Sequence, residues 1–418
     1  MGAVRPGVGV NDGVQHYIRR RTGAEPVTFD HELERRALER TLGVALFQDQ
    51  FNQLAIDVGG LSPSEADRMR RAFAKRHNDD LVQRWWERFR DGAASKGVGE
   101  KTAHRIFAKF NGQYMFPESH AFAFGVTAYQ AAWLKRYYPL EFYLGLFNQQ
   151  PMGFYTPETL KEDARRHSIA ILNPDVNKSE ALCTDKGAAV RLGLSYVRGV
   201  GEAAAKAVVH ARSRGGPFVS LGDFMERSGL EQRQVEDLID AGALDSLCTD
   251  RRRARWEDGL LYRPVGRQRA LRLPVEQDLA DLTEAGSVDE MAREYATMSM
   301  HPSGHVMGYV RERLGQDVLT SADVPHVPDG AQVTVAGLVI RRQRPLAKAV
   351  FITLEDEHGH IPLVVWPDTY ARLQHILKGS FVIVTGTVSR REGTLNIVVQ
   401  DAQPLTVLAA APRACDFR

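Results

Sequence analysis

Over residues 327–408 the chain changes its hydrophobic texture, and this change limits the possible folds more than any other feature. "AQVTVAGLVI", "AVFITLEDEHGHIPLVVW" and "SFVIVTGTVSRREGTLNIVVQ" are Val-, Ile- and Thr-rich runs, broken by turns such as Glu357-His358-Gly359 and Glu392-Gly393. Branched side chains of this kind pack well on a pleated surface and poorly in a helix. About five short strands with one helical insertion, "DTYARLQHIL", predict a small closed barrel. Nothing upstream has this texture, so the chain holds at least two kinds of domain.

Residues 1–176 read as mostly helical. "PSEADRMRRAFAKRH" opens on Pro63 and Ser64 with Glu65 in the first turn, which are helix-start signals. "LVQRWWERFRDGAASKG" carries an amphipathic stripe and stops at Gly97, and "GEKTAHRIFAKFNG" repeats the pattern up to Gly112. "AFAFGVTAYQAAWLKRYYP" is apolar nearly all round and predicts a buried helix. Residues 177–258 begin with a short strand-like piece and continue into an Ala-rich helix and two shorter ones, the last stopping at Gly242. Residues 259–326 read as a connector with one or two helices, and 409–418 as a frayed tail.

A chain of 418 residues predicts two or three domains. The three cysteines, Cys183, Cys248 and Cys415, share no metal-ligand spacing and predict a reducing compartment, with cytoplasm the default. No apolar run reaches about 18 residues, so no membrane span is expected. The net charge of +2 is uninformative, but its distribution is not. "YIRRRTG", "RMRRAFAKRH", "RRRARW" and "VIRRQRPLAK" are separate basic clusters. One such cluster is ordinarily a solvated surface. Four of them in different segments point to a polyanionic partner.

The helix "GVGEAAAKAVVHARS" opens with glycines at i and i+2, Gly199-Val200-Gly201. No third glycine follows, since residue 204 is Ala, and no Gly-Lys-Ser/Thr is present, so neither nucleotide fingerprint fits. A short helix, an apolar-x-Gly-apolar-Gly hairpin and an Ala-rich helix fit a helix-hairpin-helix instead. In that motif the absence of a Cβ lets backbone N–H groups approach a DNA phosphate at a helix N-terminus. Lys206, one turn on, would add charge. The alternative is a plain interhelical turn. In the barrel, Phe351, Trp366, Arg341, Arg342 and Lys348 are candidates for stacking and pairing with single-stranded nucleic acid. For Phe351 and Trp366 the alternative is a place in the core.

Several stretches together carry a resemblance: "RPGVGVNDGVQHYIRRRTGAEPVTF", "TLGVALFQDQFNQLA", "EADRMRRAFAKR", "FPESHAFAFGVTAYQAAWLKRYYPLEFYLGLFNQQPMGFY" and "LGLSYVRGVGEAAA" with "LIDAGALDSL". They resemble bacterial C-family DNA polymerases, the DNA polymerase III alpha subunit family. "QQPMGFY" and "DARRHSI" look most like the error-prone alpha-type subunit. The resemblance implies a multidomain α+β chain: α-helical fingers (1–176), a tandem helix-hairpin-helix domain (177–258), a connector with a clamp-binding region (259–326) and an OB-fold barrel (327–408). It also implies that Arg70, Arg71 and Lys75 face an incoming nucleotide triphosphate, with Ser119 and His120 beside its pocket. Capping of the long helix is the alternative for His120. "PVEQDLADLTEA" is the nearest match to a sliding-clamp peptide. Asp49 stands where the family usually has Glu.

The family's two-metal chemistry needs paired carboxylates on a palm domain that precedes the fingers. No Asp-x-Asp between apolar strand residues occurs here. Glu355-Asp356-Glu357 reads as a solvated turn. His301 and His305 are separated by Pro302 and Gly304, which argues against a helical metal pair. The chain is therefore expected to bind primer-template DNA and its single-stranded overhang, to be inactive alone, and to hold no cofactor of its own. Mg²⁺ is expected only in the complete polymerase. The implied role is DNA replication and repair by translesion synthesis after DNA damage. The implied partners are a sliding clamp, translesion accessory proteins and a separately encoded N-terminal half. The alternative is a stand-alone, non-catalytic DNA-binding module or remnant.

Overall fold

The computed structural model describes residues 13–73, 79–110, 116–153, 155–261, 286–344, 349–391, 393–407 and 415–417. Contacts divide the chain into two compact units, Met1–Trp133 and Leu134–Arg418.

The first unit is helical. It carries α1 (Gly13–Arg21), the single turn α2 (Arg35–Leu38), α3 (Gln48–Asp57), α4 (Pro63–Phe73), α5 (Asp79–Ser95), α6 (Glu100–Ala108) and most of α7 (Glu118–Tyr137). Its core gathers the apolar stripes of α3 to α6, with Phe51, Phe73, Phe89, Phe107 and Phe110 meeting edge-to-face or tilted at 5.2–5.9 Å between ring centroids. Lys109 closes this unit by reaching both Asp30 (2.9 Å) and the buried Glu34 (2.5 Å).

The start, stripe and stop signals of α4 and α5 are realised. The buried helix is not. No residue of α7 is buried, and Phe122 and Tyr129 are 75% and 71% exposed. An all-round apolar surface says that a helix should be covered without saying by what.

The second unit opens with α8 (Pro139–Asn148), α9 (Pro157–Arg166) and a small sheet of β1 (Ala170–Leu172), β2 (Thr184–Asp185) and β3 (Ala189–Arg191). Then come α10 (Gly201–Gly215), α11 (Leu221–Ser228), α12 (Gln232–Asp240), α13 (Arg251–Leu261), α14 (Ser287–Met298) and α15 (Val306–Arg311). One core joins α8, α9, the small sheet and the hairpin helices, built on Tyr143, Phe147, Leu192, Leu194, Phe224 and Leu238.

The barrel follows: β4 (Val318–Leu319), β5 (Gln332–Gln343), β6 (Val350–Glu355), β7 (His360–Val365), α16 (Pro367–Leu377), β8 (Phe381–Arg391), β9 (Thr394–Pro404) and β10 (Cys415–Phe417). β5 pairs antiparallel with β6 and β8, β6 with β7, and β8 with β9, while β7 meets β9 in parallel. Five strands thus close on themselves around Val335, Ile352, Leu363, Val384 and Ile397. β4 and β10 add short parallel pairings to β5.

Buried ion pairs tie the second unit together. The fully buried Lys161 on α9 donates to Glu158 (2.9 Å) and to the carbonyls of His301 (3.0 Å) and Gly304 (2.5 Å), and it lies 2.6 Å from the Glu162 carboxylate. Tyr295 also donates to Glu158 (2.9 Å). On α14 the buried Glu294 pairs with His301 (2.6 Å) and accepts from Arg251 (2.9 Å) and Asn173 (2.8 Å). Burial raises the Glu158 carboxyl above the usual range. Burial pushes Glu294 the same way, but His301 and Arg251 outweigh it and hold the group low. His301 also meets Tyr309 through Nε2 (3.0 Å), whereas His305 caps α15 by accepting from the Met307 N–H (3.1 Å). The two histidines serve different ends of one turn and do not converge.

The Glu355-Asp356-Glu357 turn is not solvated: Glu355 and Asp356 are fully buried. Glu355 accepts from Arg166 (2.7 Å), and Glu357 accepts from Arg311 (2.6 Å). Asp356 accepts from Ser321 N–H (2.6 Å) and from the His358 and Gly359 amides (2.9 Å each). The arginines come from α9 and α15, too far along the chain for local pattern to reveal.

Replacing Lys161 with Met should strand two buried carboxylates and cost about 3–5 kcal/mol, read as a lower denaturation midpoint of the intact chain. Burial also pushes the His305 imidazole down to about 3, with Lys161, Arg165 and Arg166 adding to the shift and Asp356 opposing it. The unfolded chain, with an ordinary His near 6.5, then binds the proton first. Stability from this group is present above about pH 6.5 and drains as pH falls toward 3, by about 2 kcal/mol between pH 7 and 5. His305→Asn keeps a cap acceptor and should flatten that limb in denaturation curves across pH.

Candidate nucleic-acid interface

Three places carry the residues expected to meet nucleotide or nucleic acid. In the first unit, Arg70 and Arg71 sit in the last turn of α4 and share Asp67, at 2.7 and 2.8 Å. Adjacent residues diverge by about 100° on a helix, and here Arg71 is largely exposed while Arg70 is half-buried. Arg70 also donates to the Gln48 side chain (3.4 Å) at the start of α3. The same end of α3 reaches α7. The Gln48 amide donates to the Phe116 carbonyl (3.1 Å), and the Asp49 carboxylate accepts from the Glu118 N–H (2.8 Å). The structure therefore brings Arg70 and the Ser119–His120 turn to the two sides of one helix end. Sequence reasoning missed Gln48 and Asp49 as the link. Ser119 and His120 are exposed, and the His120 ring lies between Phe116 and Phe124 at 5.0 and 4.5 Å. The cap on α7 is Asp49, not His120. Lys75 lies outside the described residues.

The second place is the Gly199-Val200-Gly201 hairpin. Both glycines have positive φ, +89° and +67°, which disfavours any side chain there. Their surroundings differ. A Cβ on Gly199 would fall 2.2 Å from the Asp237 carboxylate, so a side chain there would have to displace that group. A Cβ on Gly201 would meet nothing within 4 Å. Val200 is buried and anchors the turn. α10 starts at Gly201 without a side-chain cap, so its first N–H groups face an open approach. Lys206 pairs with Glu202 at 2.5 Å, which offsets the charge expected of it. Arg198 is a further exposed cation at the hairpin and donates to Ser299 (3.1 Å). Its position directly before Gly199 was the available signal. The second hairpin, at Gly242, is closed. A Cβ there would fall 2.3 Å from the Arg251 guanidinium. Arg251 in turn pairs with Asp245 (2.7 Å) and Glu294 (2.9 Å).

The third place is the outer face of β6 and β7. Val350, Ile352 and Leu354 point into the barrel, so Phe351 points out and is 41% exposed. It pairs across to Gln343 on β5 and Val364 on β7. Trp366, two residues past Val364, is 51% exposed. Neither aromatic belongs to the core. Arg341, on the same face of β5 as Gln343, is exposed. Arg342 is used differently, since it donates to the Leu377 and Gly379 carbonyls (2.7 Å each) and closes the end of α16. Arg344 lies 5.5 Å from the Tyr370 ring. Lys348 lies outside the described residues, as does the "PVEQDLADLTEA" segment.

Among the described residues no cluster of His, Cys, Asp or Glu has the arrangement of a metal site. The Glu355–Glu357 carboxylates do not fit Mg²⁺, because arginines and backbone amides already engage them. Nor is any described helix long and apolar enough to cross a membrane.

Residues 1–97 match the bacterial DNA polymerase III alpha subunit finger domain, 168–254 a helix-hairpin-helix motif, and 333–405 an OB-fold nucleic acid binding domain. The chain is 39% identical to the error-prone DNA polymerase of Anaeromyxobacter sp. (strain K), over 99% of this chain and 38% of that protein. It is 37% identical to that of Methylococcus capsulatus, over 94% of this chain and 40% of the relative. It is 36% identical to that of Mycobacterium tuberculosis, over 99% and 38%. The chain thus spans about two fifths of the length of the curated relatives it matches. With finger, hairpin and barrel segments matched in one order, it belongs to the bacterial C-family DNA polymerases, as the C-terminal part of the error-prone type.

Proposed function

We propose that this chain is the DNA-holding part of an error-prone DNA polymerase in the cytoplasm, serving replication and synthesis past damaged templates. On this reading the exposed Arg71, with Arg70, Ser119 and His120, lies toward the incoming nucleotide. The Gly201 hairpin takes a duplex phosphate on its backbone amides. The barrel takes the single-stranded template beyond the primer. Metal-dependent phosphoryl transfer would belong to the rest of the polymerase, and a clamp and accessory proteins would complete the assembly.

The observation that carries the reading is the exposure of Phe351 on β6 and of Trp366 just past β7, with the exposed Arg341 on the adjoining β5. Aromatic rings in a basic setting bind single strands by stacking, independent of sequence. A core position would have left them no such use.

The test is binding to primer-template junctions with an overhang against blunt duplex. The wild-type chain should prefer the junction. Phe351→Ala with Trp366→Ala should remove that preference, each base stack lost being worth about 1–3 kcal/mol, and should leave duplex affinity unchanged. Gly201→Val should weaken both substrates by about tenfold, or ~1.4 kcal/mol. The loss should be equal across sequences, because phosphate contacts carry no base information. An unaltered junction preference in the double variant would remove the barrel from the interface. Unaltered duplex affinity in a folded Gly201→Val would make the hairpin purely structural.

A further inference from the structure

The second unit holds a cavity of about 830 Å³ that reaches the hairpin through Arg198. Its walls come from the end of α8, the residues before α9, the run before β2, the turn that leads into the hairpin and the end of α14. Phe147, Tyr155, Leu182, Tyr196 and Met298 line it, together with the exposed Arg198. The walls are fixed before any ligand arrives. Asn148 holds the backbone of Cys183, donating to its carbonyl (3.2 Å) and accepting from its N–H (2.8 Å). Ser195 donates to the Ala181 carbonyl (2.6 Å), and the Arg198 amide donates to the Thr297 carbonyl (2.9 Å). Those polar groups are spent on the wall itself. Two side chains are not. The Tyr196 hydroxyl is buried and has no hydrogen-bond partner among the described residues. Arg198 has no carboxylate partner among the described residues, and of its five N–H donors one goes to Ser299 (3.1 Å). A buried hydroxyl left unpaired is costly, and a ligand that pairs with it recovers the cost.

We propose that this cavity takes a single unpaired nucleotide, its base against the aromatic wall and its phosphate on Arg198 and the first amides of α10. This rests on the proposed reading of the Gly201 hairpin as a phosphate site. Arg198 directly precedes Gly199, so one cation serves both the cavity and the hairpin. A ligand that spans the two must join an anion to a flat ring, as a nucleotide does. The volume lies within the range of small-molecule sites. A base of a duplex reaches such a site only after leaving its stack. The rings of Phe147 and Tyr196, 6.1 Å apart between centroids, then receive it by stacking, with no demand on sequence. An apolar peptide anchor would fill the walls but leave Arg198 without an anion. The nucleotide has two sources: an extrahelical base in the duplex held at the hairpin, and a free nucleoside monophosphate.

The test measures the affinity of the intact chain for a fully paired duplex, for the same duplex with one bulged adenine, for one with a bulged abasic site, and for deoxyadenosine monophosphate alone. Two variants lie outside the hairpin. Leu182→Trp narrows the cavity from a wall position that is 53% exposed, and Tyr196→Phe removes the unpartnered hydroxyl, so both should fold as well as wild type. Wild type should bind the bulged adenine about tenfold more tightly than the abasic bulge, the scale of one base stack. Leu182→Trp should abolish that difference and Tyr196→Phe should shrink it about threefold, both with unchanged affinity for the fully paired duplex. Binding of the monophosphate to wild type and not to Leu182→Trp would identify the free nucleotide as a source and uphold the assignment. If the adenine and abasic bulges bind alike and the monophosphate does not bind, the cavity assignment fails, while binding of the paired duplex keeps the hairpin reading. If the bulge preference survives both variants, it arises outside the cavity and the proposal is overturned. If neither any duplex nor the monophosphate binds, both readings fail.

Discussion

One ammonium group organises the second unit. Lys161 Nζ contacts two carboxylates on its own helix and two carbonyls of the turn after α14, all out of water. A buried charge is tolerated only when its partners are complete, and removing one partner exposes the cost of the rest. Here the partners come from α9 and from residues about 140 positions later, so α9 can form its interior only when that later turn is in place. The same helix sends Arg165 and Arg166 outward to the β6–β7 turn. α9 is thus fixed on one side to the turn after α14 and on another to the barrel.

The two hairpins show how such fixation shapes a binding surface. Arg251 fills the space beside Gly242 and is held by Asp245 and Glu294, so the second hairpin serves folding. At the first, side-chain charge is nearly balanced: Glu202 offsets Lys206, and Asp237 lies behind Gly199. Burial raises the Asp237 carboxyl above its usual range, so it gives up its charge more readily as pH falls. On the proposed reading the attraction for a phosphate comes from oriented backbone amides and the adjacent Arg198. Such a contact fixes position on DNA without reading bases.

What was legible in the sequence depended on how local its cause was. The barrel was legible because strand alternation is a two-residue pattern, but a core place stood open for Phe351 until the fold set Val350, Ile352 and Leu354 inside. The hairpin was legible because glycine takes positive φ values such as those of Gly199 and Gly201 at the least cost. The burial of Glu355 and Asp356 was not, since their partners Arg166 and Ser321 lie 189 and 35 positions away. Nor could pattern separate Arg341 from Arg342. Alternation assigns them opposite faces, but only the fold brings the Leu377 and Gly379 carbonyls to Arg342.

α7 shows a different limit. Its composition is that of a buried helix, yet every residue of it is accessible. The physical premise survives: a row such as Phe122, Val126 and Tyr129 is unfavourable in water by roughly 25 cal/mol for each Å² of apolar surface left exposed. Composition says that such a helix favours cover without saying what supplies it. Hydrophobic pattern reports the environment in which a segment was selected to work, and a neighbouring chain or domain can supply that environment as well as the segment's own fold. An exposed helix of this kind shows that hydrophobic pattern sets what a segment prefers and not what lies beside it.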